Sequence, residues 1–278
     1  MTRAIKALAE VAHDYDAIVL DQWGVLHDGS APYPGAVPCI AGLARAGHRL
    51  AVLSNSGKSA EANARRIGDI GFDMSDFAAV MTSGEALWRD IDQGNIPERR
   101  FVAVEREAGD AASWACGLDI ALQPELQHAE AILLMGLPDN SRLEDWRPIL
   151  SDALSRSLPV YCSNPDQASP RADGTVISPG ALASAYCDMG GKVTFYGKPH
   201  RPVFDALRTA LGAERLLMVG DSLEHDIAGA QAAGWDGLLI QGGLYAAAFA
   251  GADKDAVLER LVADCGCAAP DYRMECLG

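Results

Sequence analysis

The sequence predicts an α/β fold built on a parallel sheet, with a second α/β domain inserted into the chain. Short aliphatic runs alternate with amphipathic, alanine-rich stretches between residues 17 and 83, which is typical of strand-helix-strand units. The same alternation resumes between residues 193 and 243. Residues 84–184, roughly, contain another set of apolar runs, and that length suffices for a separate domain. We therefore predict a discontinuous core domain, 1–84 and 185–278, and an inserted domain, 85–184.

The individual elements follow from local patterns. Residues 1–16 are predicted to form a helix that leads into the first strand. The stretch from Ser59 has a capping hydroxyl at its start and Gly71 at its end, which indicates a helix. Pro202 marks the first turn of another helix, which ends at Gly212. The predicted strands are AIVL, RLAVLS and AAVMTS before the insert, FVAVE, AILLMG and PVYCS within it, and VTFYG, RLLMVGD and GLLIQGG after it.

Composition and charge exclude several classes of function. The net charge of −15 speaks against nucleic acid or an anionic membrane surface as a partner, because both would repel the chain. No apolar run approaches the ~20 residues that span a bilayer, and the N-terminal stretch lacks the uninterrupted apolar centre of a signal peptide. The seven cysteines are odd in number and scattered, which favours a reduced, cytoplasmic protein. Cys265 and Cys267 lack the paired spacing of a zinc site and are interpreted as thiols.

Four apolar runs end in a side chain that can react or bind an anion: Asp21, Ser54, Lys198 and Asp221. The carboxyl ends of parallel strands form the ligand crevice of such a sheet, so these residues can converge. A carboxylate can attack phosphorus directly and form an aspartyl-phosphate. Mg²⁺ on carboxylate oxygens, an ammonium and hydroxyl donors would offset the repulsion between the two anions. The sequence therefore predicts a phosphoryl-transfer site with Asp21 as its nucleophile.

The sequence also resembles a known superfamily. DQWGVL at 21–26, LSNSG at 53–57, YGKP at 196–199 and GDSLEHD at 220–226 resemble the four motifs of the haloacid dehalogenase superfamily. Their order and the insert between the second and third motifs are similar to its subfamily IIA, which includes the NagD-like and pyridoxal phosphate phosphatases. The resemblance implies a Rossmann-like parallel-sheet core with an inserted α/β cap domain of the kind that defines this subfamily.

The resemblance assigns roles to the core residues. Asp21 would be the nucleophile and a Mg²⁺ ligand, and Asp221 would be a second ligand. The backbone carbonyl of Trp23 would bind the same ion. Ser54 and Lys198 would hold the phosphoryl group.

Further roles rest on the same resemblance. Asp226 would act in catalysis by orienting Lys198 or a water molecule, and Asn55 would help to bind phosphate. Asn164 and Asp166 would be substrate-binding residues of the cap. An ordinary turn explains the composition around these last two residues equally well.

Trp23 departs from the family pattern. HAD phosphatases normally have a second aspartate at this position, which protonates the leaving group and then activates water. An indole N–H donates hydrogen bonds but has no usable acidity, so Trp23 cannot perform either proton transfer. Loss of this general acid would lower the rate of phosphate ester hydrolysis by ~10²–10⁴-fold. His27 and His225 lie near the motifs and are alternative proton donors.

Three functions are weighed from the sequence. The favoured one is a Mg²⁺-dependent hydrolase that acts on a small phosphorylated metabolite. The second is a binding or regulatory protein with little turnover. The third, a phosphoaccepting receiver domain, fits poorly because receivers lack an insert of this length. A homodimer is left open.

Overall fold

The computed structural model describes residues 2–171, 174–251 and 253–277. The chain divides into two compact units. The first unit comprises Met1–Ser54, Glu61–Met81 and Lys198–Gly278, and the second comprises Asn55–Ala60 and Thr82–Gly197.

Strands and helices alternate along most of the chain. The strands are β1 (Arg3–Ala4), β2 (Ala17–Leu20), β3 (Leu50–Ser54), β4 (Ala79–Thr82), β5 (Arg100–Val104), β6 (Ala121–Leu122), β7 (Ala131–Leu134), β8 (Val160–Cys162), β9 (Ala168–Arg171), β10 (Gly174–Ile177), β11 (Val193–Phe195), β12 (Leu216–Gly220), β13 (Asp236–Ile240) and β14 (Tyr272–Met274). The α-helices are α1 (Ala36–Arg45), α2 (Ala60–Ile70), α3 (Ser83–Asp92), α4 (Asp110–Trp114), α5 (Leu143–Ser155), α6 (Pro179–Asp188), α7 (Arg201–Leu211), α8 (Ala228–Ala233), α9 (Ala246–Phe249) and α10 (Lys254–Cys265).

A seven-stranded sheet forms the centre of the first unit, in the order β1-β14-β13-β12-β2-β3-β4. β2 is parallel to both of its neighbours, β12 and β3. Alternate residues of β2, β12 and β13, such as Ile18, Leu217 and Leu238, are buried in one apolar cluster. Because β2, β3 and β12 run in the same direction, the residues that follow them lie at one edge of the sheet. The predicted parallel α/β core is confirmed.

The second unit has a five-stranded sheet in the order β11-β8-β7-β5-β6, and its strands are parallel. Alternate residues of β7 and β8 pack with α5 and α6 in an apolar cluster that includes Ile132, Leu150 and Tyr186. β9 and β10 form a separate antiparallel pair. The insert strands FVAVE, AILLMG and PVYCS that the sequence predicts correspond to β5, β7 and β8.

Two predictions about local structure are wrong. The strand before Lys198, β11, pairs with β8 in the second unit and not with the core sheet. A three-residue strand carries little information about its partner, since pairing is decided by tertiary contacts. The N-terminal stretch is not one helix. It begins with β1, which pairs with β14, and continues with two short 3₁₀ turns, Leu8–Glu10 and Ala12–Asp14.

The proposed inserted domain, 85–184, lies within the second unit. Among the described residues, no helix is both long enough and apolar enough to cross a bilayer.

We expect Leu217→Ala to lower the free energy of unfolding by about 2–5 kcal/mol, because Leu217 is fully buried on β12 beside β2. Urea denaturation followed by circular dichroism measures the change. Leu244→Ala is the matched control, since Leu244 is 64% exposed and its truncation should change stability by no more than ~0.5 kcal/mol. Equal losses in the two variants would contradict the assigned core.

Candidate active site

The Lys198 ammonium is buried between two carboxylates in the first unit. Its Nζ lies 2.7 Å from Asp21 Oδ1 and 2.7 Å from Asp226 Oδ1. Asp21 directly follows β2, and its backbone N–H donates to the Val219 carbonyl of β12 at 2.9 Å. Asp226 lies in a single π-helical turn after β12, where its Oδ2 accepts a hydrogen bond from the Ser222 N–H at 3.0 Å. Three separate parts of the sequence therefore meet around one ammonium.

Burial and charge act in opposite directions on this cluster. Burial raises the pKa of Asp21, and the Asp226 carboxylate adds to the increase while Lys198 opposes it. Burial lowers the pKa of Lys198, but the two carboxylates outweigh it, and the pKa is raised above its ordinary value. Lys198 consequently stays charged at neutral pH. Only 15% of the Asp21 side chain is exposed, so most of its carboxylate is shielded from water.

Asp221 follows β12 and is held by backbone on two sides. Its Oδ2 accepts a hydrogen bond from the Leu244 N–H at 2.8 Å. Gly24 has a positive φ of 76°, and a Cβ built there would lie 1.7 Å from the same oxygen. Gly24 therefore has to be glycine for Asp221 to occupy this place. Burial raises the pKa of Asp221 to about 7, with Asp226 and Asp21 adding to the effect.

These residues fit a divalent cation. Carboxylate oxygens of Asp21, Asp221 and Asp226 lie within 4.8 Å of one another, and hard oxygen ligands are those that Mg²⁺ prefers. When all three are ionised, a single ammonium leaves two negative charges uncompensated. Asp226 is fully buried, and both of its oxygens accept hydrogen bonds, from Lys198 and from the Ser222 N–H. Asp21 and Asp221 are only partly buried, so they are the carboxylates that an ion can reach more easily.

The other predicted site residues fall in two places. Ser54 is 9% exposed and ends β3, next to β2, at the same sheet edge as Asp21. In the second unit, Asn55 Nδ2 donates to Asp166 Oδ1 at 2.9 Å, and the Asp166 N–H donates to Asn164 Oδ1 at 3.0 Å. The three residues predicted to bind phosphate or substrate from this region are thus linked to one another.

The Trp23 side chain lies on the loop after Asp21 and is 49% exposed. Its ring meets the His27 ring edge to face, with centroids 5.6 Å apart, and the Arg66 guanidinium lies 5.5 Å from its centroid. His27 is fully buried, and its Nδ1 accepts a hydrogen bond from the Gly29 N–H at 3.0 Å. Burial, together with the Arg66 charge, lowers the pKa of His27 to about 4. A neutral, buried imidazole is a poor acid, which weighs against the expectation that His27 donates a proton.

Several residues around the site were not found from the sequence. Buried Gln22 donates from Nε2 to Oδ1 of buried Asn63 at 2.6 Å, which ties the loop after Asp21 to α2. Arg66 lies one helical turn beyond Asn63. The sequence does not indicate which loop a polar residue of a helix will contact, so neither residue could be predicted to lie near Asp21. By contrast, the Gly242-Gly243 pair after β13 could have predicted a turn there. That turn brings the Leu244 N–H to Asp221.

Two family models match separate parts of the chain. Residues 18–115 match a family model described as haloacid dehalogenase-like hydrolase, and residues 195–264 match one described as HAD-hydrolase-like. The two matched segments contain Asp21, Ser54, Lys198, Asp221 and Asp226.

Three similar proteins illustrate the relationship. A hydrolase of the haloacid dehalogenase-like family from Brucella suis is 30% identical, with a TM-score of 0.77 over 99% of this chain and 100% of that one. The haloacid dehalogenase-like hydrolase domain-containing protein 2 from Bos taurus is 27% identical over 84% of this chain and 86% of its own length. A glycerol phosphate phosphatase from Mycobacterium tuberculosis, solved with magnesium, shares the fold, with 22% identity and a TM-score of 0.70 over 88% of this chain and 74% of that one. The resemblance found in the sequence is confirmed, and the chain belongs to the haloacid dehalogenase-like hydrolase family.

Proposed function

We propose that this protein is a Mg²⁺-dependent phosphatase of small phosphorylated metabolites that works through an aspartyl-phosphate at Asp21. The observation that carries the proposal is the buried Lys198 ammonium, 2.7 Å from both Asp21 and Asp226, beside the Asp221 carboxylate. Such a cluster combines an ionised nucleophile with positive charge in a region shielded from water.

The reaction has two steps. A carboxylate oxygen of Asp21 bonds to phosphorus, and the bond from phosphorus to the leaving oxygen breaks with its electron pair on that oxygen. A water oxygen then bonds to phosphorus, the bond to Asp21 breaks, and the carboxylate is restored while the water proton passes to phosphate or solvent. Lys198 offsets the negative charge that gathers as the two anions approach. Ser54 and Asn55 are the proposed hydroxyl and amide donors to the phosphoryl group.

The proposed metal would be held by the carboxylates of Asp21 and Asp221 and by the backbone carbonyl of Trp23. When bound, Mg²⁺ supplies positive charge to the phosphoryl oxygens. Asp226 keeps Lys198 in place, since one of its oxygens accepts from that ammonium and the other from backbone. Asn164 and Asp166 remain proposed substrate-binding residues of an inserted cap at 85–184.

A second candidate function is phosphate-metabolite binding with little turnover. Trp23 favours it, because the side chain at this position cannot give a proton to the leaving group. Phosphate release from a panel of sugar phosphates, nucleotides, pyridoxal phosphate and aryl phosphates, with and without Mg²⁺, separates the two candidates.

Asp21→Asn should reduce Mg²⁺-dependent phosphate release by at least about 10³-fold, because an amide is a far poorer nucleophile than a carboxylate. Steady-state kinetics measures the loss, and circular dichroism checks the fold. Asp205→Asn is the control, since Asp205 lies on α7 in a surface ion pair with Arg201. Wild-type turnover in Asp21→Asn would remove Asp21 as the nucleophile.

Asp221→Asn should raise the Mg²⁺ concentration needed for half-maximal activity by about 10- to 100-fold, because one anionic oxygen ligand is lost. The amide oxygen can still accept the Leu244 N–H, so the local structure is kept. Calorimetric titration of Mg²⁺ gives a second readout that is independent of turnover. Unchanged affinity in both measurements would show that Asp221 is not a ligand.

Trp23→Asp should hydrolyse alkyl phosphates faster than Trp23→Asn does, by about 10²-fold or more, because only the carboxyl can protonate the leaving oxygen. The two variants remove the same indole, so losses of stability and packing cancel in their ratio. On 4-nitrophenyl phosphate the ratio of kcat/KM values should be close to one, since kcat/KM reports phosphoryl transfer to Asp21 and this leaving group needs no proton. Equal rates on alkyl phosphates would refute the interpretation of Trp23 as a missing acid.

A further inference from the structure

An exposed aromatic ring and an exposed guanidinium lie together beside the loop that follows the proposed nucleophile. Trp23 is 49% exposed, and it is one of three large apolar side chains exposed among the described residues. Arg66 is also exposed, and its guanidinium lies 5.5 Å from the centre of the Trp23 ring. Single exposed apolar residues are common on proteins, so the surroundings of this one decide whether it has a role.

Arg66 differs from its neighbour on the same helix. Arg65 Nη1 lies 3.1 Å from Glu61 Oε1 in a surface ion pair. Arg66 has neither a carboxylate nor a hydrogen-bond acceptor as a partner within the described part of the chain, although the protein carries a net charge of −15. Its five N–H donors are therefore available to an anion, and a planar guanidinium binds carboxylates and phosphates in a bidentate manner.

Two contacts position this pair on the loop after Asp21. Buried Gln22, the residue after Asp21, donates to Asn63 on α2 at 2.6 Å, and Arg66 lies one turn further along that helix. The Trp23 ring packs against the Gly29 backbone, since a Cβ built at Gly29 would lie 2.1 Å from its Cη2. His27, hydrogen-bonded to the Gly29 N–H, meets the ring edge to face and acts as a positioning residue.

We propose that Trp23 and Arg66 form a subsite for the leaving group, and that it takes an aryl or heteroaryl phosphate whose ring carries an anionic substituent. The exposed part of the indole contacts the planar ring, and the guanidinium beside it pairs with the substituent. This proposal rests on the proposed phosphatase function and names its substrate class.

The absence of a general acid at Trp23 is consistent with this class. When Asp21 attacks phosphorus, the bond from phosphorus to the aryl oxygen breaks and the electron pair leaves on that oxygen. An aryl oxyanion delocalises this charge into its ring and takes its proton from solvent afterwards, so no protein acid is required. An alkoxide would need the proton during bond cleavage.

The test uses two phosphonate probes that bind without being hydrolysed: 4-carboxybenzylphosphonate and its neutral isostere, 4-carbamoylbenzylphosphonate. Calorimetry with Mg²⁺ present should show that the wild-type protein binds the carboxylate probe about 5- to 30-fold more tightly, as a charge-assisted hydrogen bond implies. Arg66→Gln should abolish this preference, whereas the control Arg65→Gln should keep it. A preference that survives Arg66→Gln, or no preference in the wild type, overturns the subsite.

The indole is tested with the same probes against methylphosphonate. Trp23→Ala should lose the preference for the two aryl probes over methylphosphonate, and Trp23→Phe should retain it because a stacking face remains. An unchanged aryl preference in Trp23→Ala would refute the role of the indole.

Turnover separates this proposal from the proposed function. The matched substrates are 4-carboxyphenyl and 4-carbamoylphenyl phosphate, assayed in the wild type and in the two arginine variants. If neither these substrates nor the panel above releases phosphate but the phosphonate preference depends on Arg66, the subsite stands as a binding site for such rings and the phosphatase function fails. Suppose instead that both substrates are hydrolysed and that, for each of them, kcat/KM is the same in the wild type and in Arg66→Gln. The subsite then fails and the phosphatase function stands.

Discussion

The buried Lys198 ammonium is the interaction on which the rest of the site depends. An isolated ammonium is costly to bury, and it is tolerated here because two carboxylates lie 2.7 Å from Nζ. Those carboxylates would repel each other without it. Each partner comes from a different part of the chain, so the ion pairs can form only when β2, the turn after β12 and the segment leading into α7 are in place. The site therefore exists only in the folded first unit.

The cluster of carboxylates around Lys198 carries more negative charge than the ammonium offsets. Asp221 adds a third carboxylate, and burial raises its pKa to about 7. Its position is set by backbone, through the Leu244 N–H and through Gly24, and not by a cationic side chain. Asp21 and Asp221 would hold the proposed divalent cation, whose charge would offset repulsion that the chain itself leaves uncompensated.

Trp23 places an indole on the loop after Asp21, at the position where the resemblance to the superfamily implies an acid. An indole offers apolar area and a π face but has no usable acidity. His27 and Gly29 hold it, and Arg66 lies beside it. The substitution therefore belongs to a set of contacts within the first unit, and its proposed consequence for function is a preference for leaving groups that depart as stable anions.

The sequence by itself determined the class of fold and the chemistry at the strand ends. Apolar runs that end in Asp21, Ser54 and Asp221 are visible locally, because burial on both faces of a parallel sheet requires such runs and because helix signals separate them. The order of the motifs also identified Lys198 as a site residue. The accompanying expectation that Lys198 ends a strand of the core sheet was wrong, because β11, which precedes it, belongs to the other sheet. Tertiary structure alone decided strand partners, the conformation of the N-terminal stretch and the contacts of α2 with the loop after Asp21. Arg66 could not be identified from the sequence, because which side chains of a helix meet a distant loop depends on how the helix packs, and that packing is a property of the folded unit as a whole.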